Sequence, residues 1–355
     1  MTSKLPPFSC TYSASFVKLL HGLRSSIAIT TYQAGKLIFI SAKNETELIQ
    51  FPRTFIKPMG IALHDDKLAV ATQDDVAVYR DVPGQGKRYP KRPDTYDALY
   101  LPRSIYYTGE LDIHDIQFIP AGLLAVNTRF SCVSLINEDY SFTCIWKPYF
   151  IDQLIPGDCC HLNGMVVEND KPRYLTALGA TSDEKGWRSN KANGGILIDA
   201  ITQEFVLENL PMPHSPRKYR EGLFALLSGT GELIHVNCEK KSYEVVHRFD
   251  GFVRGMDRIG DFLFIGLSKL RTTSKAFGDL PIASRSLMCG VVAFHLPTAK
   301  IVGHIKYESS VEEIFDVQVL PGIVRPGILS IEKNEHQGII TVPDGVYWPI
   351  KSGNP

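Results

Sequence analysis

HDIQFIPAGLLAV at residues 114–126 and HSPRKYREGLFAL at residues 214–226 align without a gap, and this pair of stretches decides the fold. Each stretch begins with a short segment, turns at a glycine and continues with a second segment rich in Leu, Ala, Val and Phe. This is the pattern of two paired β-strands. Four more segments fall into the same frame, one with a short insertion and the last as a front half only: MGIALHDDKLAVA at 59–71, NGMVVENDKPRYLTAL at 163–178, RGMDRIGDFLFIG at 254–266 and FDVQVL at 315–320.

The first residues of these copies form one alignment column, which reads Met59, His114, Asn163, His214, Arg254 and Phe315. They are 40 to 61 residues apart, with a mean of about 51, which is near the period of a four-stranded propeller blade. In the copy that starts at residue 214, two further strands are predicted at 231–236 and 243–247. The sequence therefore predicts an all-β protein, a six-bladed β-propeller.

The two ends of the chain are expected to complete one blade together. Residues 26–40 resemble the second and third strands of a blade and residues 47–51 a fourth, but no first strand precedes them. The sixth repeat, at 315–320, has a first strand with no full blade after it. We therefore expect the N-terminal strands to pair with the C-terminal repeat and to remove the sheet edge that an open ring would expose.

Seven blades are the alternative, and they would require residues 16–23 to form a strand. The apolar residues of that segment recur instead at helical spacing: Phe16, Leu19, Leu20 and Leu23. The expected organisation is an N-terminal segment with a short helix at 1–25, a single propeller domain at 26–325 and a C-terminal extension at 326–355.

Composition limits the classes of function. The chain has 355 residues, 44% hydrophobic, with 38 basic and 38 acidic residues, so no basic surface for nucleic acid is indicated. Its start has no apolar core of signal-peptide length, and no apolar run approaches the ~18 residues that span a bilayer. The seven cysteines show no metal-binding spacing and are best explained as reduced thiols. We expect a soluble, cytoplasmic protein that binds neither nucleic acid nor membrane.

Two types of loop open on the same face of a propeller: the loops that lead into the innermost strands, and those that join the second and third strands. The unusual polar and aromatic residues fall in these loops, which include two long insertions at 179–195 and 268–290. Long loops on a rigid ring are typical of binding or active sites. We therefore predict a pocket lined by His, Arg and Asp at the axis on this face.

Alternation along the strands predicts which residues point into that pocket, because positions two apart share a side. The candidate catalytic residues are Asp112, His114, His161 and Glu313. His114, His161 and His214 are also candidate ligands of a divalent metal ion, since neutral imidazoles suit such ions. The alternative is that these histidines bond backbone groups at the tops of the blades. Asp115 and Asp316, in the next column, are expected to orient backbone or a histidine.

A second set of residues is predicted to bind the ligand. Arg129 and Arg254 are the preferred groups for an anion, because guanidinium forks match carboxylates and phosphates. The remaining candidates are polar, basic or aromatic residues of the same face: Tyr32, Lys57, Asn163, Trp187, Arg188 and Lys191. Salt bridges between blades and packing of the long loops are the alternatives for this set.

Several short motifs occur in one order between residues 26 and 326: TYQAGKL, DIHD, NTRFSC, CHLNG, MPHSPR and EIFDVQVLPG. In these the chain resembles a family of conserved, uncharacterised bacterial proteins of about this length. The resemblance implies a propeller-like soluble protein whose biochemical role is unassigned. It adds nothing about the reaction.

Two functions are compatible with these patterns. The first is binding of a small anionic or peptide-like ligand in the axial pocket, with a metal-assisted lyase, hydrolase or isomerase reaction as one option. The second is a noncatalytic ligand-binding or protein-interaction scaffold, whose loops grip a partner protein. Whether the protein is an enzyme is left open by the sequence.

Overall fold

The computed structural model describes residues 5–270, 277–278, 280–343 and 345–348. Six sheets surround one axis, and the innermost strand of each packs beside the innermost strand of the next. The fold is a six-bladed β-propeller, as the repeat predicts.

Each blade has four antiparallel strands, numbered here in chain order. Blade 1 contains β2 (Ser26–Thr31), β3 (Lys36–Ala42), β4 (Leu48–Thr54) and, innermost, β25 (Asp316–Leu320); blade 2 contains β5 (Ile61–His64), β6 (Lys67–Ala71), β7 (Asp75–Asp81) and β8 (Ala98–Tyr107). Blade 3 contains β9 (Ile113–Ile119), β10 (Gly122–Asn127), β11 (Cys132–Ile136) and β12 (Thr143–Trp146); blade 4 contains β13 (Leu162–Glu168), β14 (Lys171–Ala177), β15 (Gly195–Asp199) and β16 (Phe205–Leu210). Blade 5 contains β17 (Pro213–Tyr219), β18 (Gly222–Leu227), β19 (Glu232–Asn237) and β20 (Ser242–Arg248); blade 6 contains β21 (Phe252–Ile259), β22 (Phe262–Ser268), β23 (Gly290–His295) and β24 (Lys300–Tyr307).

Blade 1 is built from both ends of the propeller sequence. Strand β25 pairs antiparallel with β2, so that Ser26 faces Leu320 and Thr30 faces Asp316. The prediction that the sixth repeat supplies the missing first strand is confirmed. Every innermost strand consequently has a neighbour on each side around the axis.

A short helix precedes the ring. The helix α1 (Ala14–Gly22) begins after Ser13, whose side-chain oxygen accepts a hydrogen bond from the Phe16 backbone. Phe16, Val17 and Leu20 are buried, and the Phe16 ring contacts Phe264 of blade 6 edge-on at 6.1 Å. A strand before the helix, β1 (Cys10–Tyr12), pairs with β24 as a fifth strand of blade 6. A seventh blade would have required residues 16–23 to form a strand. Most of that segment is helix instead, as its spacing of apolar residues predicts.

The chain beyond the last repeat remains packed on the ring at first. Strand β26 (Pro326–Ile328) pairs parallel with β8 at the outer edge of blade 2. A two-stranded hairpin follows, formed by β27 (Ile340–Val342) and β28 (Gly345–Tyr347). The extension expected after residue 325 therefore begins as an added strand of blade 2.

The core lies between neighbouring blades. Strands in the middle of the blades are buried on both faces; all six residues of β2, for example, are buried. Apolar side chains of β2 and β3 pack with those of β25 and of blade 6, including Phe264 and Val291. In the described residues no helix is long and apolar enough to cross a membrane. All seven cysteines are free thiols.

Around the axis, one position after the repeat column, glycine alternates with a polar residue from blade to blade. Read from blade 2 round to blade 1, the six residues are Gly60, Asp115, Gly164, Ser215, Gly255 and Asp316. Each polar side chain accepts a hydrogen bond from backbone of the following blade. Asp316 Oδ2 accepts from Ile61 N at 2.9 Å, and Asp115 Oδ2 from Met165 N at 3.1 Å.

The glycines are needed because the chain of the following blade approaches closely. A Cβ atom on Gly164 would lie 2.5 Å from Pro216 Cδ, and one on Gly255 would lie 2.7 Å from Asp316 Cα. Gly255 also has a φ of +75°, which side chains disfavour. This inner ring of glycines and polar residues joins neighbouring blades around the axis, next to the loops that lead into the innermost strands.

Candidate functional site

Two adjoining cavities open where the predicted loops meet. The first, named the axial chamber, has a volume of about 330 Å³ and includes His114, His161 and Arg254 in its lining. The second, the lateral chamber, has about 350 Å³ and includes Lys57 and Arg129. Both are lined by residues before the innermost strands and by residues of the loops between second and third strands.

The axial chamber brings together most of the predicted site. Its lining includes Asp112, His114, His161, Trp187, Arg254 and Glu313. Four residues line both chambers and form their common wall: Tyr32, Asp112, Asp158 and Arg188.

Three predicted residues lie elsewhere. Asn163 and His214 are buried below the axial chamber, around a void of about 10 Å³. Lys191 follows the short 3₁₀ turn Gly186–Asn190 and is not among the described residues that line either chamber. Blade twist and loop conformation, which alternation along a strand does not include, account for these differences.

The loops before four innermost strands share an unusual backbone conformation. Two positions before the repeat column, the residue has a positive φ in each: Lys57 (46°), Asp112 (55°), His161 (51°) and Met212 (55°). The left-handed conformation is unfavourable for residues other than glycine and clusters at functional sites. Each of the four residues lines one or both chambers, so the strained backbone lies at the walls of the cavities.

His114 is held in one tautomer by a buried hydroxyl. Thr128 Oγ1 lies 2.5 Å from Leu162 O, to which it donates its only hydrogen, and 2.8 Å from His114 Nδ1. Nδ1 must therefore carry the proton, which it shares with Asp112 O at 2.9 Å. The Nε2 atom is then an acceptor. Burial lowers the pKa of His114 to about 4, so the imidazole is neutral at pH 7.

His214 repeats this arrangement two blades further on. Ser228 Oγ donates to Val253 O at 2.5 Å and accepts from His214 Nδ1 at 2.8 Å. His214 Nε2 is consequently an acceptor, and Arg254 Nη2 donates to it at 3.2 Å. Burial, and then the charge of Arg254, keep the pKa of His214 well below its ordinary value.

His161 forms a pair with an acidic residue. Asp158 Oδ1 lies 2.8 Å from His161 Nδ1, and Asp158 Oδ2 accepts from Trp187 Nε1 at 3.0 Å. The His161 ring lies between two others, 4.8 Å from His114 and 4.5 Å from Trp187 between centroids. A carboxylate that orients an imidazole is the arrangement of a general base.

Arg254 is a cation in the lining of the axial chamber. Besides contacting His214, its Nη1 donates to Glu313 Oε1 at 3.3 Å, and its guanidinium lies 4.5 Å from the Phe315 ring centroid. Both charged side chains are largely buried. The chamber therefore holds a positioned guanidinium beside the carboxylate of Glu313 and the neutral imidazole of His114.

Below the chamber, polar groups connect blades. Asn163 Nδ2 donates to Pro213 O at 2.9 Å, while Asn163 Oδ1 accepts from Thr176 at 2.7 Å. The first bond joins blade 4 to blade 5, the second lies within blade 4, and together they use both ends of the amide. Asp115 and Asp316 cap backbone of the following blade, one of the roles expected for them.

The three histidines do not form a shared metal site in this structure. His214 Nε2 accepts from the Arg254 cation, and His161 Nδ1 is bonded to Asp158. Among the described residues no group of three or more His, Cys, Asp or Glu is arranged to hold a metal ion. Metal binding stays a prediction that this geometry does not favour.

Sequence patterns did not indicate several residues of the site. Asp158 lies outside the alternation along the strands, and Phe277 lies in the second insertion, of which residues 271–276 and 279 are outside the described part. Thr128 and Ser228 had a readable signal, because each follows the histidine of its own repeat by 14 residues.

The fold and the two chambers define the class of protein: it is a single-ring β-propeller with polar cavities at one end of its axis. Residues 14–329 match a family described as a domain of unknown function (DUF4915), and the chain belongs to that family. Membership of an uncharacterised family, expected from the motifs, is thereby confirmed. No curated protein matches the chain.

Solved structures are similar in fold. A chain of a nidogen/laminin complex has a TM-score of 0.53 and 9% identity, over 84% of this chain and 99% of that one. A protein of unknown function from Bacteroides caccae gives a TM-score of 0.48 and 10% identity, over 83% of this chain and 98% of that one. The WD40 domain of Pan2 from Neurospora crassa gives 0.38 and 13%, over 69% and 64%. At such identities the first similarity concerns the fold alone, and no argument rests on the other two.

Proposed function

We propose that the axial and lateral chambers together bind one small anionic or peptide-like organic molecule. The observation that carries the proposal is a pair of adjoining chambers of about 330 and 350 Å³, within the size range of small-molecule sites, lined by loops of the whole ring. Charged groups and aromatic rings occur in the same lining, so such a ligand would be bound by both its polar and its apolar parts.

The charges of the lining favour an anion. Six basic residues line the chambers: Lys57, Arg129, Lys185, Arg188, Arg254 and Lys269. Four acidic residues accompany them: Glu110, Asp112, Asp158 and Glu313. Three of the basic groups are already paired with acids: Arg129 with Glu110 at 3.1 Å, Arg254 with Glu313 at 3.3 Å, and Lys185 with Glu184, which is not part of the lining, at 3.1 Å. The excess of positive charge attracts carboxylates or phosphates.

The aromatic rings of the mouth support a ligand site over a docking surface for a protein. A scaffold would present dispersed, exposed aromatic side chains on this face. Trp187, Phe252 and Phe315 are instead 7%, 8% and 6% exposed and form walls of the axial chamber. A concave, apolar-walled site with a few fixed polar groups is typical of small-molecule binding.

The same site has groups for acid–base chemistry. The Asp158–His161 pair lies in the wall of the axial chamber, with the neutral His114 ring beside it. If the ligand is a substrate, His161 is the residue that we expect to move a proton, with Asp158 holding its ring.

The test is a binding screen on the purified full chain. A panel of small carboxylates, phosphate esters and dipeptides is added, and the melting temperature and the tryptophan fluorescence are followed. We expect at least one compound to bind, and Arg188→Met to weaken its affinity about tenfold. The matched control is Arg220→Met, whose side chain is 91% exposed in the turn between β17 and β18. Binding by no member of the panel, or binding unaffected by Arg188→Met, would overturn the proposal.

A further inference from the structure

We infer that the ligand is an aromatic α-amino acid, held as a zwitterion between Asp112 and Arg188 with its ring in the axial chamber. This inference rests on the proposed function and specifies its ligand. It depends on three features of the chambers. The first is an acidic residue, Asp112, whose carboxylate can still accept hydrogen bonds, and the second is a basic residue, Arg188, that lines the same two chambers. The third is the apolar part of the axial chamber.

Asp112 supplies the acceptor for an ammonium group. It is half-buried, has a φ of 55° and lines both chambers. Within the described part of the chain, its carboxylate makes no hydrogen bond or ion pair, although its charge acts on His114. A carboxylate at the wall of a cavity gains most from a cationic ligand group, because charge-assisted hydrogen bonds are the stronger ones.

His114 adds a second acceptor beside Asp112. The bonds of Thr128 and of the Asp112 carbonyl fix the proton on Nδ1, which leaves the Nε2 lone pair available. Among the described residues Nε2 has no hydrogen-bond partner. A neutral imidazole acceptor and a carboxylate, at the lining of one cavity, suit a group with several N–H donors such as an ammonium.

Arg188 supplies the donor for a carboxylate. Its guanidinium lies 5.4 Å from the Trp187 ring centroid, and in the described residues this is its only side-chain interaction. Like Asp112 it lines both chambers, yet the two side chains do not pair with each other. Asp112 and Arg188 could therefore bind the ammonium and the carboxylate of an α-amino acid, respectively. Lys269 adds a second basic group on the axial side.

The axial chamber supplies the compartment for an aromatic side chain. Its apolar lining consists of Leu178, Trp187, Met212, Phe252, Phe277 and Phe315. The rings are arranged at angles to one another, with Phe252 and Phe277 6.1 Å apart at 46°. Aromatic ligands gain from offset or edge contacts with such rings, beyond the area that they bury.

The test dissects the ligand by calorimetric titration of the full chain. L-phenylalanine and L-tryptophan are compared with 3-phenylpropanoate, which lacks the ammonium, with phenethylamine, which lacks the carboxylate, and with L-alanine, which lacks the ring. We expect at least one of the aromatic amino acids to bind, and each of the three truncated compounds to bind at least tenfold more weakly.

Variants assign the two charged ends. Asp112→Asn should weaken binding of the aromatic amino acid at least tenfold and leave 3-phenylpropanoate unchanged, since asparagine tolerates a left-handed backbone. The matched control is Asp170→Asn, an exposed aspartate with a φ of 61°, which should change neither affinity. Arg188→Met should weaken both compounds. Circular dichroism and melting temperature show whether each variant is folded.

The outcomes separate this inference from the proposed function. Equal binding of 3-phenylpropanoate and phenylalanine would overturn the zwitterion and keep an anion site. Binding of an acid from the screening panel, with no binding of either aromatic amino acid, would overturn the inference alone. Failure of all compounds would overturn both.

Discussion

Arg217 of blade 5 donates from Nη1 to Asp115 Oδ2 of blade 3 at 2.9 Å, beneath the floor of the axial chamber. Asp316 of blade 1 is the second carboxylate that acts on this cation. Burial alone would lower the pKa of Arg217, but the charges of Asp115 and Asp316 raise it above its ordinary value. One guanidinium thus compensates two buried carboxylates from different blades.

Removing that guanidinium should therefore be costly. We expect Arg217→Met to lower the free energy of unfolding by about 3–5 kcal/mol, because two buried carboxylates lose their counterion. Urea unfolding followed by circular dichroism measures the change. Arg220→Met is the control and should stay within about 0.5 kcal/mol, since that side chain is 91% exposed. Equal effects of the two variants would show that the buried cluster does not stabilise the ring.

The neutral state of His114 predicts a dependence of stability on pH. Burial lowers its pKa to about 4 from an ordinary 6.5. As the pH falls from 6.5 towards 4, the unfolded chain takes up a proton that the folded one refuses, so the free energy of unfolding decreases. The shift corresponds to about 3 kcal/mol at ~1.4 kcal/mol per pKa unit. We expect His114→Gln to remove this part of the decrease in urea titrations at several pH values.

Two other buried groups, His214 and Asp316, also make the stability depend on pH. His214 acts in the same direction as His114, while Asp316 acts oppositely, because burial raises its pKa to about 7 and stability then rises as the pH falls from 7 to 4. The comparison is accordingly made between His114→Gln and the parent at each pH. Thr202→Val, at an exposed position without a titratable side chain, is the control and should keep the shape of the parent curve. A His114→Gln curve parallel to the parent would contradict the prediction.

The inner ring of glycines predicts a large effect of one methyl group. Gly164→Ala places a Cβ atom 2.5 Å from Pro216 Cδ and should lower the free energy of unfolding by about 1–3 kcal/mol. Gly22→Ala is the matched variant: nothing lies within 4 Å of its Cβ position, at the end of α1, and it should be neutral or slightly stabilising. Thermal unfolding of both proteins tests the difference, and similar melting temperatures would argue against close approach at the axis.

Hydroxyl groups that join the blades predict a further effect on stability. Thr128→Val removes the partner of Leu162 O and of His114 Nδ1, both buried, and should cost about 1–3 kcal/mol in the free energy of unfolding. Ser228→Ala should have a similar cost, since Ser228 makes the equivalent bonds in blade 5. Thr202→Val, at an exposed position, provides the reference in the same urea measurement. If Thr128→Val and Ser228→Ala lower the free energy of unfolding no more than Thr202→Val does, the hydroxyl groups do not stabilise the ring.

The fold was predictable because its unit is local. A hairpin of two strands leaves its pattern within about 13 residues, and six copies in one order specify a closed ring once the ends are seen to complement each other. Strand β1 was not predictable, because three residues, two of them exposed, carry no alternation. The parallel pairing of β26 with β8 likewise depends on how the chain crosses blade 2.

The face on which the cavities open was predictable, but the residues that line them were only partly so. The loops converge as expected, since ring geometry fixes which loops share a side. Asn163 and His214 lie at repeat positions, but their side chains bond neighbouring blades, and the twist that brings those partners near has no sequence signature. Asp158 was missed because its role depends on the turn that places it 2.8 Å from His161.

The pairing of β25 with β2 also constrains the order of events during synthesis. Ser26 leaves the ribosome almost three hundred residues before its partner Leu320, so the innermost strand of blade 1 is translated long after the other three strands of that blade. Joining such distant segments costs loop-closure entropy and comes late in folding. Until then β2 presents an unpaired edge, and a nascent chain held at that stage is a candidate client for chaperones.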